Sequence, residues 1–183
     1  MLTNAPTLRT SRLTLRGPEK DDLAPFTAWA TTSDRMVHVG GTVGENDAWR
    51  GFMIGIGHWQ WHGFGFFTIT DTATGAALGR CGLLRHTIWP ETELAWHVFD
   101  GAEGRGIAYE AAVAVRHWAG KSLGLGPLVS FIAPGNTRSR ALARRLGATE
   151  EAEITLDGET VIPHRHLPHD HPLARAQRIE VTA

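Results

Sequence analysis

The stretch "GAEGRGIAYEAA", Gly101 to Ala112, sets three glycines in six residues ahead of a run of helix formers. A helix N-terminus presents N–H groups without intrahelical partners and carries positive partial charge. Glycine lets a backbone approach a ligand closely and aim successive N–H groups at one point. The combination can cradle phosphate oxygens. A tight turn needing positive φ would use the same glycines. The dinucleotide pattern G-x-G-x-x-G is not met, and no Gly-Lys-Ser/Thr follows to make a P-loop.

A second group of residues could move protons. "ETELAWHVFD" carries Glu91 and Glu93 near the start of a strand. Either carboxylate could accept a proton, directly or through a water. They share a face at period two, so spacing does not choose between them, although Pro90 favours a solvent-facing Glu91. In "NTRSRALARRLGA", Asn136 can cap the helix it opens, and Ser139 lies one turn further on. Glu110, in the first turn of the preceding helix, suits the helix dipole rather than catalysis. The single cysteine, Cys81, sits in "GRCGLL" with no activating base, which reads as a buried, inert thiol. His164 and His166 share a strand face, but no third ligand is fixed at an expected spacing, so no metal is expected. "GHWQWHGFGFF", residues 57–67, is dense in aromatic rings and could wall a pocket for an apolar or cationic ligand.

The elements that must hold these residues follow from pattern. "RLTLRG" alternates as a first strand, and "PEKDDLAPFTAWA" reads as a short helix with an acidic first turn. "ENDAWRGFMIGIGHWQWH" predicts a second helix. "FGFFTITD" and "ALGRCGLLR", joined by "TATG", predict a hairpin. "ETELAWHVFD" is a fourth strand. A third helix runs from about Ile107 to Leu123, with Ile107, Ala111, Ala114, Val115 and Trp118 on one face. A fifth strand, a short helix from Asn136 to Gly147 and a hairpin turning at Asp157-Gly158 complete the pattern. The fold class is α/β (α+β), a mixed, mostly antiparallel sheet of six to seven strands flanked by about four helices. One domain is expected over residues 1–168, with the tail at 169–183 disordered in part.

The chain has 183 residues, 42% apolar and 20% charged, with a formal net charge of −1, which suits one soluble domain. No basic excess points to nucleic acid or an anionic membrane. One cysteine excludes an intrachain disulfide. No signal-like or membrane-spanning run is present, so a cytoplasmic protein is expected.

The element order, "EGRGIAYEA" and "NTRSRALARRLGA" together resemble the GCN5-related N-acetyltransferases. The closer likeness is to the branch of ribosomal-protein N-terminal acetyltransferases and their small-molecule relatives. The family signature Q/R-x-x-G-x-G/A falls on Glu103, Gly106 and Ala108. The branch pattern G-K-G-x-A-x-E-A reads here as Gly104 to Ala111, and its N-x-x-S as Asn136 and Ser139. The likeness runs from about Leu8 to His166 and is most specific over 91–148.

The resemblance implies acetyl-CoA as co-substrate, with no metal, and a primary amine as acceptor. Strands four and five should splay, so that the pantetheine arm pairs with the fourth. His97, Val98 and Phe99 would then supply backbone groups, Val98 nearest the thioester carbonyl. Glu103, Gly104, Arg105, Gly106, Ile107 and Ala108 would hold the pyrophosphate. Asn136 and Ser139 would contact the pantetheine and the sulfur. Glu93 would be the base and Ser139 would assist the thiol. The usual tyrosine near Ser139 is lacking; the lone Tyr109 lies on the other helix. Glu103 departs from the family's Gln or Arg, and a carboxylate there repels pyrophosphate unless it turns away, with Arg105 as an offsetting cation. Expected partners are acetyl-CoA and the amine, with a homodimer left open; nucleic acid and membrane are not expected. The alternative function is a non-catalytic acyl-CoA-binding or sensor domain on the same fold. A nucleotide-binding α/β domain is a second rival.

Overall fold

The computed structural model describes residues 3–177. Nine strands form one path and a side branch: β1 (Leu8–Arg9), β2 (Leu13–Arg16), β3 (Phe66–Asp71), β4 (Ala77–Leu84), β5 (Glu93–Val98), β6 (Val129–Ile132), β7 (Thr149–Glu150), β8 (Ile154–Leu156) and β9 (Glu159–Arg165). Their order is β1-β2-β3-β4-β5-β6-β9-β7, with β8 on β9. Every pairing is antiparallel except β5 with β6. The sheet thus exceeds the expected six to seven strands. The additions are β1 and β7, each two residues long and too short to show an alternating pattern.

The helices are α1 (Leu23–Thr32), α2 (Glu45–His62), α3 (Ile107–Leu123), α4 (Thr137–Arg145) and α5 (Pro172–Ala176). The second helix matches its predicted span. It ends at Gly63, which takes the left-handed conformation (φ 71°) that lets a helix stop at a glycine. The last hairpin turns where expected, with Asp157 at φ 51° and Gly158 at φ 80°, the two positive values a tight type I′ turn requires. Residues 172–176 of the tail are helical, and Gln177 Oε1 accepts a 2.5 Å hydrogen bond from Arg116 Nη2. The rest of the tail, 178–183, lies outside the described residues.

Two apolar clusters occupy the two faces of the sheet. α3 covers one face. Its small residues Ala111, Ala114 and Ala119 are fully buried and let the helix lie close on Leu15, Ile69, Leu83 and Leu94. α1 and α2 cover the other face, where Phe26, Trp29, Phe52 and Phe99 pack together. Trp59 reaches the larger cluster and stands edge-on to Phe67.

Glu110 joins the two ends of this framework. Its side chain is nearly buried, and it accepts hydrogen bonds from Thr10 Oγ1 (2.5 Å), Arg12 Nε (2.9 Å) and Arg12 Nη2 (2.6 Å). Arg12 Nη1 also donates to the Arg105 carbonyl at 3.1 Å. The dipole role expected of Glu110 is therefore joined by a cross-link from the β1–β2 hairpin to the start of α3 and the loop before it. We expect Glu110→Ala to lower unfolding free energy by about 1.5–3 kcal/mol, the range for hydrogen bonds to charged groups. Urea denaturation of both forms measures this.

Candidate functional site

β5 and β6 share a single register pair, Glu93 with Val129, and diverge beyond it. A cavity of about 1190 Å³ fills the opening. Strand geometry fixes which main-chain groups face it. The Ser130 hydroxyl crosses the gap to the Leu94 carbonyl at 2.5 Å, so Leu94 presents its main chain to β6. At period two, Trp96 and Val98 do the same. Phe99 faces the other way, its N–H donating to the Leu78 carbonyl at 2.9 Å. Val98 therefore offers main-chain groups to the gap, while His97 shares the orientation of Phe99. The His97 side chain lines the cavity, stacks on Trp29 at 4.9 Å and accepts a 2.7 Å hydrogen bond at Nδ1 from Arg80 Nε. Burial, with the nearby Arg80 charge, holds His97 neutral.

One end of the cavity is the glycine loop. Gly104 (φ 70°) and Gly106 (φ 76°) are both left-handed. Space beside Gly104 is open, and the first N–H groups of α3 receive no side-chain cap. Those unfilled donors and that open approach fit a phosphate group. Glu103, Gly104, Gly106, Ile107 and Ala108 line the cavity there. Glu103 does not project freely at it. Its carboxylate meets Arg35 Nη2 at 2.5 Å. Its own backbone N–H, and then Arg35, hold the carboxyl below its ordinary pKa. Arg105 lies outside the lining; its guanidinium turns towards Asp71 at 3.7 Å, so it does not offset Glu103. Phe99 lies outside as well, in the second apolar cluster.

The third wall is α4. Asn136 caps it, its side-chain oxygen accepting from the Ser139 N–H at 3.1 Å. The Ser139 hydroxyl accepts from Trp96 Nε1 at 3.3 Å, which leaves its own proton free to be donated. Tyr109 reaches the same cavity from α3, with the Arg145 guanidinium 4.4 Å from its ring centre.

The opposite end holds Glu93. It is 7% exposed, and its Oε1 accepts from the Phe131 N–H at 3.0 Å. Desolvation outweighs that hydrogen bond and raises its pKa from 4.5 to about 8. Glu91 is bound instead to the Arg165 guanidinium, with a second contact at 2.8 Å, and its pKa is lowered by that pairing. Structure thus separates two carboxylates that spacing left equivalent. Cys81 is fully buried, and desolvation pushes its thiol well above the ordinary range, so it offers no thiolate.

The aromatic run 57–67 does not line the cavity, which corrects the expectation of an aromatic wall from that segment. Trp59, Phe64 and Phe67 pack in the larger cluster, and Trp61 is 85% exposed. Rings do line the cavity, but they are Trp29, Trp89, Trp96, Tyr109 and Phe131, from separate segments. His164 and His166 point into the protein, to Glu150 (3.1 Å) and to Ser130 (2.9 Å) respectively. Arg35 and Trp29 carry no local signal in the sequence that would have singled them out.

The model of the acetyltransferase (GNAT) domain matches residues 12–149, more than half the chain. The chain belongs to the GNAT acetyltransferase family. It is similar to an acetyltransferase from Agrobacterium tumefaciens str. C58, at 37% identity and TM-score 0.81, over 88% of this chain and 95% of that one. A GCN5-related N-acetyltransferase from Brucella melitensis shares the fold at 17% identity and TM-score 0.76, over 97% of this chain and 86% of that one. RimL, a ribosomal alpha-N-protein acetyltransferase, shares it at 14% identity and TM-score 0.73, over 89% and 95%.

A carboxyl raised by burial opposes folding once the unfolded chain can ionise. Below about pH 4.5 both states hold the proton and there is no penalty; between about pH 4.5 and about pH 8 the penalty grows. We expect Glu93→Gln to gain stability relative to the parent as pH rises through that window. Urea melts of both proteins at pH 4.5, 6.5 and 8.5 measure the trend; parallel pH profiles would contradict a raised Glu93.

Proposed function

We propose that the chain is an acetyl-CoA-dependent N-acetyltransferase that passes the acetyl group to a primary amine by direct attack in a ternary complex. One observation carries this reading. A single continuous cavity joins uncapped helix N–H groups, an unpaired strand edge and a buried carboxylate with no cation beside it. Those are the three features that an anionic carrier, a thioester and an ammonium each need.

Acetyl-CoA would supply the activated acyl group; the chain's residues do the rest. Gly104, Gly106, Ile107 and Ala108 bind the pyrophosphate through main-chain N–H groups. The free edge of β5 takes the pantetheine as an added strand, and the Val98 N–H polarises the carbonyl. Asn136 and Ser139 flank the sulfur end, and the Ser139 hydroxyl can donate to it. Glu93 accepts the proton of the ammonium, directly or through a water. Its pKa of about 8 makes it a stronger base than an ordinary carboxylate, lying nearer the amine it must deprotonate. Holding amine and thioester together supplies much of the remaining acceleration. The inert Cys81 supports direct transfer over an acetyl-cysteine intermediate.

The acceptor's chemistry is read from the rings and Glu93 at the far end, which suit an amine carried on apolar surface. Likeness to ribosomal N-terminal acetyltransferases adds a peptide N-terminus to that class. No helix among the described residues is long and apolar enough to cross a membrane, and we place the reaction in the cytoplasm.

The test is free-thiol release from acetyl-CoA across a library of amines and peptide N-termini, beside calorimetry with acetyl-CoA. Binding without turnover of any acceptor would favour the sensor. With an accepted amine, Glu93→Gln should cut kcat by roughly 10²–10⁴, the usual range for a general base, while acetyl-CoA affinity stays within about twofold. The parent's kcat/KM should rise with pH towards about 8, and the variant should lose the part of that rise due to Glu93.

A further inference from the structure

Arg35 joins two parts of the cavity wall that are distant in the chain. It lies in a short 3-10 turn, Asp34–His38, whose start is capped by the Ser33 hydroxyl. That hydroxyl donates to Asp100 at 2.7 Å, and Arg35 Nε lies 3.5 Å from the same carboxylate. Arg35 Nη2 meets Glu103 at 2.5 Å. Asp34, Arg35, His38 and Val39 all line the cavity, and Arg138 of α4 adds its positive charge near Glu103.

This arrangement meets a difficulty set by the loop. Helix N–H groups at 104–108 attract phosphate, and the Glu103 carboxylate repels it. The cation that answers Glu103 comes from the turn after α1, and that turn is also a wall of the cavity. A guanidinium carries five donors in a planar fork; Nε faces Asp100 and Nη2 faces Glu103, and the fork has further donors for a phosphate oxygen.

We propose that Arg35 is a phosphate-binding residue of this chain, its guanidinium bridging Glu103 and the pyrophosphate of acetyl-CoA and so fixing the 33–43 segment against the loaded cavity. The inference rests on the acetyl-CoA reading above. It makes Arg35 a ligand for the co-substrate and also a positioning residue, since the residues it fixes include His38 and Val39. It gives the acidic residue in the loop a function: Glu103 holds Arg35 at the phosphate site before the ligand arrives.

The alternative is a partly exposed ion pair of the ordinary kind, with little effect on stability and no ligand role. Calorimetry on the full chain separates the two, with acetyl-CoA and S-acetyl-pantetheine, which lacks the pyrophosphate, as probes. Arg35→Ala should weaken acetyl-CoA by about tenfold or more, as for loss of a charge-assisted hydrogen bond, and leave acetyl-pantetheine within about twofold. In a Glu103→Gln background the same change should still cost about fivefold or more, and Arg35→Lys should recover only part of the loss. Hydrogen exchange should show acetyl-CoA protecting amides 34–43 in the parent and not in Arg35→Ala. The proposal is overturned if acetyl-CoA affinity shifts less than twofold in Arg35→Ala, if Glu103→Gln fully restores it, or if acetyl-pantetheine weakens equally. A parent chain that fails to bind acetyl-CoA would instead remove the acetyltransferase reading. The Arg35–Glu103 pair is partly exposed, so melting temperatures should stay close to the parent's and keep the binding comparison clean.

Discussion

Most of this structure follows from the parting of β5 and β6 after one register pair. Continued parallel pairing would use the main-chain groups of β5 and leave no cavity. Parting leaves a strand edge with unmet donors and acceptors inside the protein, a costly arrangement unless something occupies it. The gap is bridged at its narrow end by the Ser130 hydroxyl on the Leu94 carbonyl, and Ser130 is in turn met by His166. Because that hydroxyl has one proton to give, His166 must donate from Nε2, which leaves Nδ1 as an unprotonated acceptor. The vertex of the gap is thus braced by side chains, and the open end is left to main-chain groups.

The loop at the open end is held by arginines on two sides. Arg12 reaches the Arg105 carbonyl from behind while bound to Glu110, and Arg35 reaches Glu103 from the turn after α1. A glycine-rich loop has little side-chain packing of its own and would lose much conformational entropy on binding. Fixing it with charged contacts to rigid elements reduces that loss before a ligand arrives. The left-handed glycines are then held rather than merely permitted.

Sequence carried the elements and the loop well, for a physical reason: both depend on local chemistry. The span of α2, the Asn136 cap and the Asp157-Gly158 turn are each fixed by residues within a few positions. Contacts across the fold were not legible. Arg35 sits in "SDRMVH", which has no periodicity to mark it, and its partner lies in another element. The aromatic run 57–67 failed as a pocket wall because ring density does not say which side faces a cavity. Those rings fall where α2 ends and β3 begins, and most turn into the core. The strands β1 and β7 exist only through their partners.

Three glutamates in or near the cleft show how environment, rather than residue type, sets a role. Glu91, just before β5, is exposed enough to meet Arg165 and is held ionised as a structural charge. Glu103 is also paired with an arginine and held ionised, but it lies within the anion loop, where its charge positions a cation instead of taking a proton. Glu93 is buried with one N–H donor and, among the described residues, no cation beside it, and only its pKa is raised. Surrounding Glu93 with an arginine would strengthen the fold locally and make the carboxylate a poorer base. Burial without a countercharge is a stability cost that a purely structural residue at this position would have no reason to carry. Its place at the vertex of the gap, where β5 and β6 share their one register pair, fixes it to both strands at once.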